Sequence, residues 1–248
     1  MHMRALSKDE VHVWCADPRA FELVDTIVRA RVVLSADEIE RYERFHFERD
    51  RAIYLATHWL ARTVLSRYEP VEPASWRFVA GKYGRPEIDG DSKLRFNLSN
   101  THGLVVCAVT HEVDVGVDVE TTRRPAPLDI VDRFFAPAEI EAFGRLPVAD
   151  RPRRFFDYWT LKESYIKARG FGISLPLDRF AFVLEKGRAP RIEIDPSVGD
   201  RADRWQFLQY EPTSEHLLAL CVERPTTREA TVTFEWSTLE VGTSAPIG

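Results

Sequence analysis

The chain has 248 residues, of which 44% are hydrophobic and 29% charged, a composition typical of a folded globular protein rather than of a fibrous or disordered one. Its formal net charge of −5 argues against a protein that binds nucleic acid over its whole surface. An anionic partner would therefore have to meet a local basic patch. The sequence has no apolar run of about eighteen residues and no signal-like start, so we expect a cytoplasmic protein outside the membrane. The three scattered cysteines, Cys15, Cys107 and Cys221, are expected to be buried thiols.

A first long helix is predicted between about Ser35 and Tyr68. Residues 35–38 have the pattern of a capping box, and we expect a break in the helix near residues 46–50. The early arginines of this segment, Arg41 among them, are typical of a solvated helix face.

A faint internal repeat organises the rest of the chain. Residues 77–88 align without gaps on residues 181–192, an apolar strand follows each copy, and a helix-like segment precedes each. This order predicts an α+β fold made of two similar halves, residues 1–115 and 116–236, followed by a disordered tail at 237–248. The crevice between two such halves is a natural ligand site.

Residues 113–120 alternate strictly between valine and small or acidic residues, which predicts a strand. The valines share one face, and Asp118 and Glu120 project side by side from the other, about 7 Å apart at the usual rise per residue. The acids either lie in solvent or contribute to a site for a hard cation such as Mg²⁺, which prefers one or two carboxylates together with water and phosphate oxygens.

A second helix is predicted over residues 155–170, ending at Gly170. Lys162, Glu163 and Lys167 lie on the same face as Trp159, and apolar residues cover much of the remaining surface. Glu163 and Lys167 could simply form a local i, i+4 ion pair. Alternatively, the charges of this face interact with other charges or a ligand: the lysines would contact phosphates, and Glu163 would complete a metal site or accept a proton.

Together these motifs resemble 4′-phosphopantetheinyl transferases of the surfactin-synthetase-activating type. The resemblance rests on G-V-D-V-E at 116–120 and W-T-L-K-E-S-Y-I-K at 159–167, supported by Y-G-R-P at 83–86 and F-N-L-S at 96–99. It implies a pseudo-twofold monomer with its site at the seam. It also implies transfer of the phosphopantetheine arm of coenzyme A to a serine of an apo acyl or peptidyl carrier protein, with Mg²⁺ as cofactor and adenosine 3′,5′-bisphosphate as leaving group.

The same resemblance assigns roles by position. It makes Asp118, Glu120 and Glu163 the magnesium ligands and Lys162 and Lys167 the catalytic-helix lysines, which act on phosphates or support the acids. The serine proton would pass to Glu163 or to a water on the metal. The residues that would grip the nucleotide and its phosphates are Arg41, Lys82, Arg85, Pro86, Ser99, Asn100 and Thr101, together with the two lysines.

Asn100 departs from the family pattern, which often has histidine after the serine of F-N-x-S, so an imidazole contact to phosphate is replaced by an amide or displaced to His102. Because carrier proteins of this class are acidic, the resemblance also predicts a basic landing surface, for which the candidates are Arg123, Arg124, Arg151, Arg153 and Arg154.

Two other functions remain open at this stage: a non-catalytic module that binds coenzyme A or another nucleotide, and a Mg²⁺-dependent hydrolase of a pyrophosphate. The sequence contains neither a phosphate-binding G-x-x-x-x-G-K-[ST] loop nor a G-x-S-x-G elbow that would favour another class.

Overall fold

The computed structural model describes residues 3–224 and 228–238. The strands are β1 (Glu10–Ala16), β2 (Phe78–Ala80), β3 (Pro86–Ile88), β4 (Leu94–Thr101), β5 (Leu104–His111), β6 (Val115–Thr121), β7 (Phe180–Val183), β8 (Arg191–Ile194), β9 (Trp205–Thr213), β10 (His216–Glu223) and β11 (Thr231–Trp236). The α-helices are α1 (Val24–Arg31), α2 (Ala36–Glu43), α3 (Glu48–Leu65), α4 (Val131–Phe134), α5 (Pro137–Gly144) and α6 (Arg151–Arg169). In the described part of the chain, no helix combines the length and apolarity that crossing a membrane requires.

Helices and strands mix in one α+β arrangement, as predicted. One sheet has the order β11-β1-β5-β4 and the other the order β6-β10-β9. Two small antiparallel hairpins, β2-β3 and β7-β8, lie in the two segments that the internal repeat relates. Each hairpin follows a long helix, α3 or α6, and precedes an antiparallel strand pair, β4-β5 or β9-β10.

The two sheets pack against each other through their apolar faces. Alternate residues of β1 and β5, such as Val13 and Val106, share a buried cluster with Val117 of β6 and Leu220 of β10. The opposite face of the first sheet packs on α3, and that of the second packs on α6. The valine face predicted for residues 113–120 is therefore confirmed, and it points toward the other sheet.

Both long helices begin and end close to the predicted positions. Ser35 accepts from the backbone of Glu38 and the Glu38 carboxylate accepts from Ser35, which is the predicted capping box. The first segment breaks at residues 44–47, slightly before the predicted position. Helix α6 ends at Gly170, which adopts a left-handed φ of 64°. All three cysteines are buried and free.

The last strand does not follow the predicted boundaries, which place residues up to 236 in the C-terminal half. Strand β11 pairs in parallel with β1, in the sheet of the N-terminal half. Its Val232 and Phe234 pack against the cluster between the sheets, and its backbone covers an edge of β1 that would otherwise be unpaired.

The predicted disordered tail also begins too early, because Ser237 is buried and its amide donates to the carbonyl of Cys15 at 2.8 Å. The prediction for residues 239–248 lies outside the described residues.

Helix α6 lies directly on strand β6 at Gly116. A Cβ atom at this position would lie 2.0 Å from the carbonyl oxygen of Ser164 and 2.4 Å from the amide nitrogen of Ala168, both backbone atoms of α6. Only glycine permits this approach without displacing the helix.

We expect Gly116→Ala to destabilise the fold strongly, by more than the roughly 1–3 kcal/mol typical of overpacking, because the clash is with backbone that cannot rotate away. Thermal unfolding followed by circular dichroism measures the effect. Gly144→Ala is the matched control: no atom lies within 4 Å of its added Cβ, so it should be neutral or slightly stabilising. Equal melting temperatures for Gly116→Ala and wild type would show that the contact is not tight.

Candidate active site

The candidate site lies where β6 runs beside β4, the edge strand of the other sheet. Three side chains of β4 accept hydrogen bonds from backbone amides of β6: Asn97 from Val117 at 2.9 Å, Ser99 from Val119 at 3.1 Å and Thr101 from Thr121 at 3.3 Å. The step of two residues on both strands follows the strand pleat. We call this line of three hydrogen bonds the seam. It gives hydrogen-bond partners to amides on the edge of β6, although no backbone ladder joins the two sheets.

The sequence predicts Ser99 and Thr101 near a ligand at a seam of two halves, but it does not predict the side-chain-to-backbone hydrogen bonds between β4 and β6 or the part that Asn97 has in them. The only available signal was the alternation of short polar side chains at 97, 99 and 101, which is also common on solvated strands.

Close packing at Gly116 brings the polar face of β6 against α6. Asp118 is only 6% exposed, so the alternative of acids in solvent does not hold for it. Its Oδ1 atom accepts from Lys167 Nζ at 2.7 Å and from Ser99 Oγ at 3.0 Å. The Oδ2 atom of Asp118 is buried and has no hydrogen-bond partner. A buried carboxylate oxygen left without a partner costs free energy, so it marks a position built for something other than stability.

Glu163 lies one turn before Lys167 on α6 and shares this environment. Burial, the charge of Asp118 and, more weakly, that of Glu120 raise the pKa of Glu163 from an ordinary 4.5 to about 7, against the opposing effect of Lys167. Burial and Asp118 also raise the pKa of Glu120, although Arg124 pairs with it at 3.0 Å. The three carboxylates therefore lie within electrostatic range of one another, and two are held against their ionised form.

The donor chemistry of this group fits a hard divalent cation, because all three residues offer carboxylate oxygens and Asp118 Oδ2 is unsatisfied. However, the side chains of Asp118, Glu120 and Glu163 do not converge on one point as metal ligands would. Across residues 3–224 and 228–238, no three acidic, imidazole or thiol side chains form a group that could hold a metal ion. Lys167 and Arg124 instead bond Asp118 and Glu120. The assignment of Asp118, Glu120 and Glu163 as metal ligands stays a prediction.

A basic cleft of about 500 Å³ opens beside the seam. Three arginines and one aspartate contribute its charged lining, which suits an anionic ligand. The cleft is bordered by Arg49, Asp50, Ile53, Thr101, His102, Thr121, Arg123 and Arg124. The sequence predicts Thr101 near the ligand and His102 as a displaced imidazole, but it does not join Arg49 or Ile53 to them, because residues so distant in sequence meet only in the folded chain.

The other predicted nucleotide contacts lie in different surroundings. Arg41 is exposed on α2, Lys82 is exposed in the turn of the β2-β3 hairpin, and Asn100 is exposed on β4. Arg85 donates to the carbonyl of Ala168 at 2.9 Å and so binds the C-terminal end of α6, where a cation is favoured by the helix dipole. Its neighbour Pro86 begins β3.

The structure places Lys162 away from the site, which corrects its predicted catalytic and phosphate-binding roles. Lys162 is fully buried, with its Nζ 2.7 Å from Glu139 Oε2 and 2.8 Å from each of two backbone carbonyls, those of Leu177 and Phe180. Residues 162 and 163 are about 100° apart around the helix, so their side chains leave it in different directions. Lys162 ties α6 to α5 and β7, and removing one partner of such a pair costs about 3–5 kcal/mol.

Comparison with known proteins identifies relatives over most of the chain. A profile of the 4′-phosphopantetheinyl transferase superfamily matches residues 114–221. The 4′-phosphopantetheinyl transferase HetI of Nostoc sp. is 33% identical over 223 residues, covering 88% of this chain and 89% of that protein. The 4′-phosphopantetheinyl transferase Sfp of Bacillus subtilis is 30% identical over 192 residues, covering 77% and 83%. A solved holo-[acyl-carrier-protein] synthase from Neisseria meningitidis is similar with a TM-score of only 0.38 and 17% identity, covering 45% of this chain and 97% of that chain, too distant to carry an argument.

The raised pKa of Glu163 gives a stability prediction. The folded carboxyl keeps its proton up to about pH 7, whereas the unfolded one loses it near pH 4.5, so ionisation favours unfolding as the pH rises through this window. We expect Glu163→Gln, which has no proton to lose, to unfold at a higher temperature than wild type at pH 8 in EDTA. The gain is at most about 3 kcal/mol and should vanish toward pH 4.5. A variant that is less stable than wild type at pH 8 would contradict the assigned environment.

Proposed function

The chain belongs to the 4′-phosphopantetheinyl transferase family, and from this premise we propose that it moves the phosphopantetheine group of coenzyme A onto a serine of an apo acyl or peptidyl carrier protein with the help of Mg²⁺. The observation that carries this proposal is the buried carboxylate group of β6 and α6. It combines an unsatisfied Asp118 oxygen with a Glu163 pKa near 7, next to a basic cleft.

The reaction joins the serine oxygen of the carrier to the phosphorus that bears the pantetheine arm. The bond from this phosphorus to the bridging oxygen breaks, and adenosine 3′,5′-bisphosphate leaves with that oxygen and the bonding electron pair. The nucleophile arrives on the partner protein, so this chain must supply positioning, charge and a proton acceptor.

Glu163 is the candidate proton acceptor. Burial and the charge of Asp118 raise the pKa of Glu163 when no cation is bound, and a divalent ion on the same carboxylates would lower it, so Glu163 would be ionised and able to accept a proton once the ion is bound. Positioned general bases contribute typically 10²–10⁴-fold to a rate. The proton of the carrier serine would move to Glu163 as the new phosphorus–oxygen bond forms.

Asp118, Glu120 and Glu163 would hold the magnesium ion, since their oxygens are the donors that this ion prefers. When bound, the ion supplies Lewis-acid polarisation of the pyrophosphate and a template for it. Lys167 supports this set from the protein side, because its ammonium group neutralises Asp118 directly.

The basic cleft is the proposed seat of the phosphates of coenzyme A. Arg49, Arg123 and Arg124 line it together with Thr101 and His102. Three guanidinium groups can offset the charge of a bisphosphate as it leaves, which is the charge that grows in the transition state. In this arrangement Arg41, Lys82, Arg85, Pro86 and Asn100 remain predicted contacts to the nucleotide.

Recognition of an acidic carrier is proposed for surface arginines in two segments of the chain, residues 123–124 and 151–154. Arg123 and Arg153 are strongly exposed, although each pairs with a glutamate, Glu215 and Glu211 respectively. Such surface pairs are weak and can exchange for a carrier carboxylate. The proposal includes a monomer that acts on its carrier in the cytoplasm, with no nucleic acid or membrane involved.

We further propose that the two halves are related by a pseudo-twofold axis. The order of long helix, hairpin and strand pair occurs twice, and the strand orders β1-β5-β4 and β6-β10-β9 correspond. The proposed halves are residues 1–115 and 116–236, with β11 exchanged onto the first sheet.

The proposed function is tested by incubating an apo carrier protein with coenzyme A, Mg²⁺ and the enzyme and measuring the intact mass of the carrier. We expect the mass of one phosphopantetheine group to be added by wild type, and Glu163→Gln to slow this at least about 100-fold. Glu141→Gln, which removes an exposed carboxylate of α5, is the control and should match wild type.

An unchanged carrier mass with cleaved coenzyme A would instead identify a pyrophosphate hydrolase, and binding without either product would identify a non-catalytic module. A Glu163→Gln variant that transfers at the wild-type rate would remove Glu163 from the reaction.

A further inference from the structure

Ser99 lies at the point where β4, β6 and α6 meet. Its hydroxyl oxygen donates to Asp118 Oδ1 at 3.0 Å, accepts from the amide of Val119 at 3.1 Å and accepts from Lys167 Nζ at 3.0 Å. The residue is 5% exposed. Ser99, a residue of the first sheet, therefore contacts both Asp118 and Lys167 in the candidate site.

These three contacts use the whole hydrogen-bonding capacity of the side chain. A serine hydroxyl has one proton to donate and two lone pairs that accept. The proton is given to Asp118, and the lone pairs are filled by Val119 and Lys167. A phosphate oxygen can only accept, so it would need the proton that Asp118 already holds. Ser99 is thus poorly suited to the phosphate contact that its motif suggests.

The contacts instead fix the orientation of Asp118. Ser99 and Lys167 both bond Oδ1, so the carboxylate is held by one oxygen while Oδ2 stays unpaired. Lys167 is fixed at the same time, because its three donors are directed to Ser99 Oγ, Asp118 Oδ1 and the carbonyl of Val117 at 3.2 Å. Without the Ser99 hydroxyl, Asp118 could rotate and Lys167 would have a donor to spare.

We propose that Ser99 is a positioning residue of the transfer reaction, which holds Asp118 and Lys167 in place across the seam rather than binding coenzyme A. This inference rests on the proposed function. Asn97 and Thr101 form the same type of bond to the β6 backbone, whereas Ser99 alone of the three also bonds the side chains of Asp118 and Lys167.

The test compares three variants in steady-state transfer assays and in calorimetric titrations with coenzyme A. We expect Ser99→Ala to lower kcat about 10- to 100-fold, as losses of groups that orient ligands typically do, while the Kd for coenzyme A stays within about twofold. Ser99→Thr keeps the hydroxyl and should recover most of kcat. Asn97→Ala breaks a comparable seam bond without touching Asp118, so its kcat should remain near wild type even where its melting temperature falls.

A Ser99→Ala variant that binds coenzyme A at least tenfold more weakly with an unchanged kcat would overturn the proposal in favour of a phosphate contact. Equal losses of kcat in Ser99→Ala and Asn97→Ala would reduce the effect to general seam stability and would also overturn it. If Ser99→Ala does not fold, Ser99→Cys replaces it, because a thiol fills the place of the hydroxyl but is only a weak hydrogen-bond partner. Wild type serves as the reference for the proposed function itself: a wild-type protein without transfer would refute that function, independently of any result on Ser99.

Discussion

The site depends on how closely α6 approaches β6. At Gly116 the helix backbone replaces the space that a side chain would fill, so the polar face of the strand meets the helix instead of solvent. Glu163 and Lys167 on α6 thereby come opposite Asp118 and Glu120, and Asp118 is nearly excluded from water. The valines on the other face fix the strand from behind through the packing of the two sheets. A small displacement of the helix would separate the groups whose mutual influence raises the pKa of Glu163.

Placing three carboxylates so close together is electrostatically unfavourable. Buried carboxylates repel one another, and burial alone favours their neutral form. Lys167 offsets Asp118, and Arg124 offsets Glu120, whereas Glu163 has no such direct counter-ion in the described residues, and its pKa is raised to about 7. The free-energy cost of burying these carboxylates falls at the edge of a basic cleft and at the seam of two sheets, which is where the candidate site lies. Lys162, only one residue away, shows the opposite case: its buried charge is fully paired and serves the stability of the helix.

Local patterns allowed much of this to be predicted. Alternation over 113–120 specified the strand and the common face of Asp118 and Glu120, and the capping residues located both long helices. What could not be predicted depends on three-dimensional neighbours. Lys162 forms an ion pair with Glu139, which lies on another helix. The hydrogen bonds of the seam join side chains of β4 to the backbone of β6, twenty residues further along the chain. Strand β11 pairs with β1 from the opposite end of the chain, a contact that no local periodicity encodes.

The central claim is that acids from β6 and α6 share one divalent ion at the seam. The most direct measurement is a crystal structure of the protein grown with Mn²⁺ and coenzyme A, with the metal located by its anomalous scattering. We expect one peak within coordinating distance of carboxylate oxygens from Asp118, Glu120 and Glu163, beside the pyrophosphate. A peak bound by other residues, or a Glu163 side chain turned away from the ion that Asp118 holds, would contradict it.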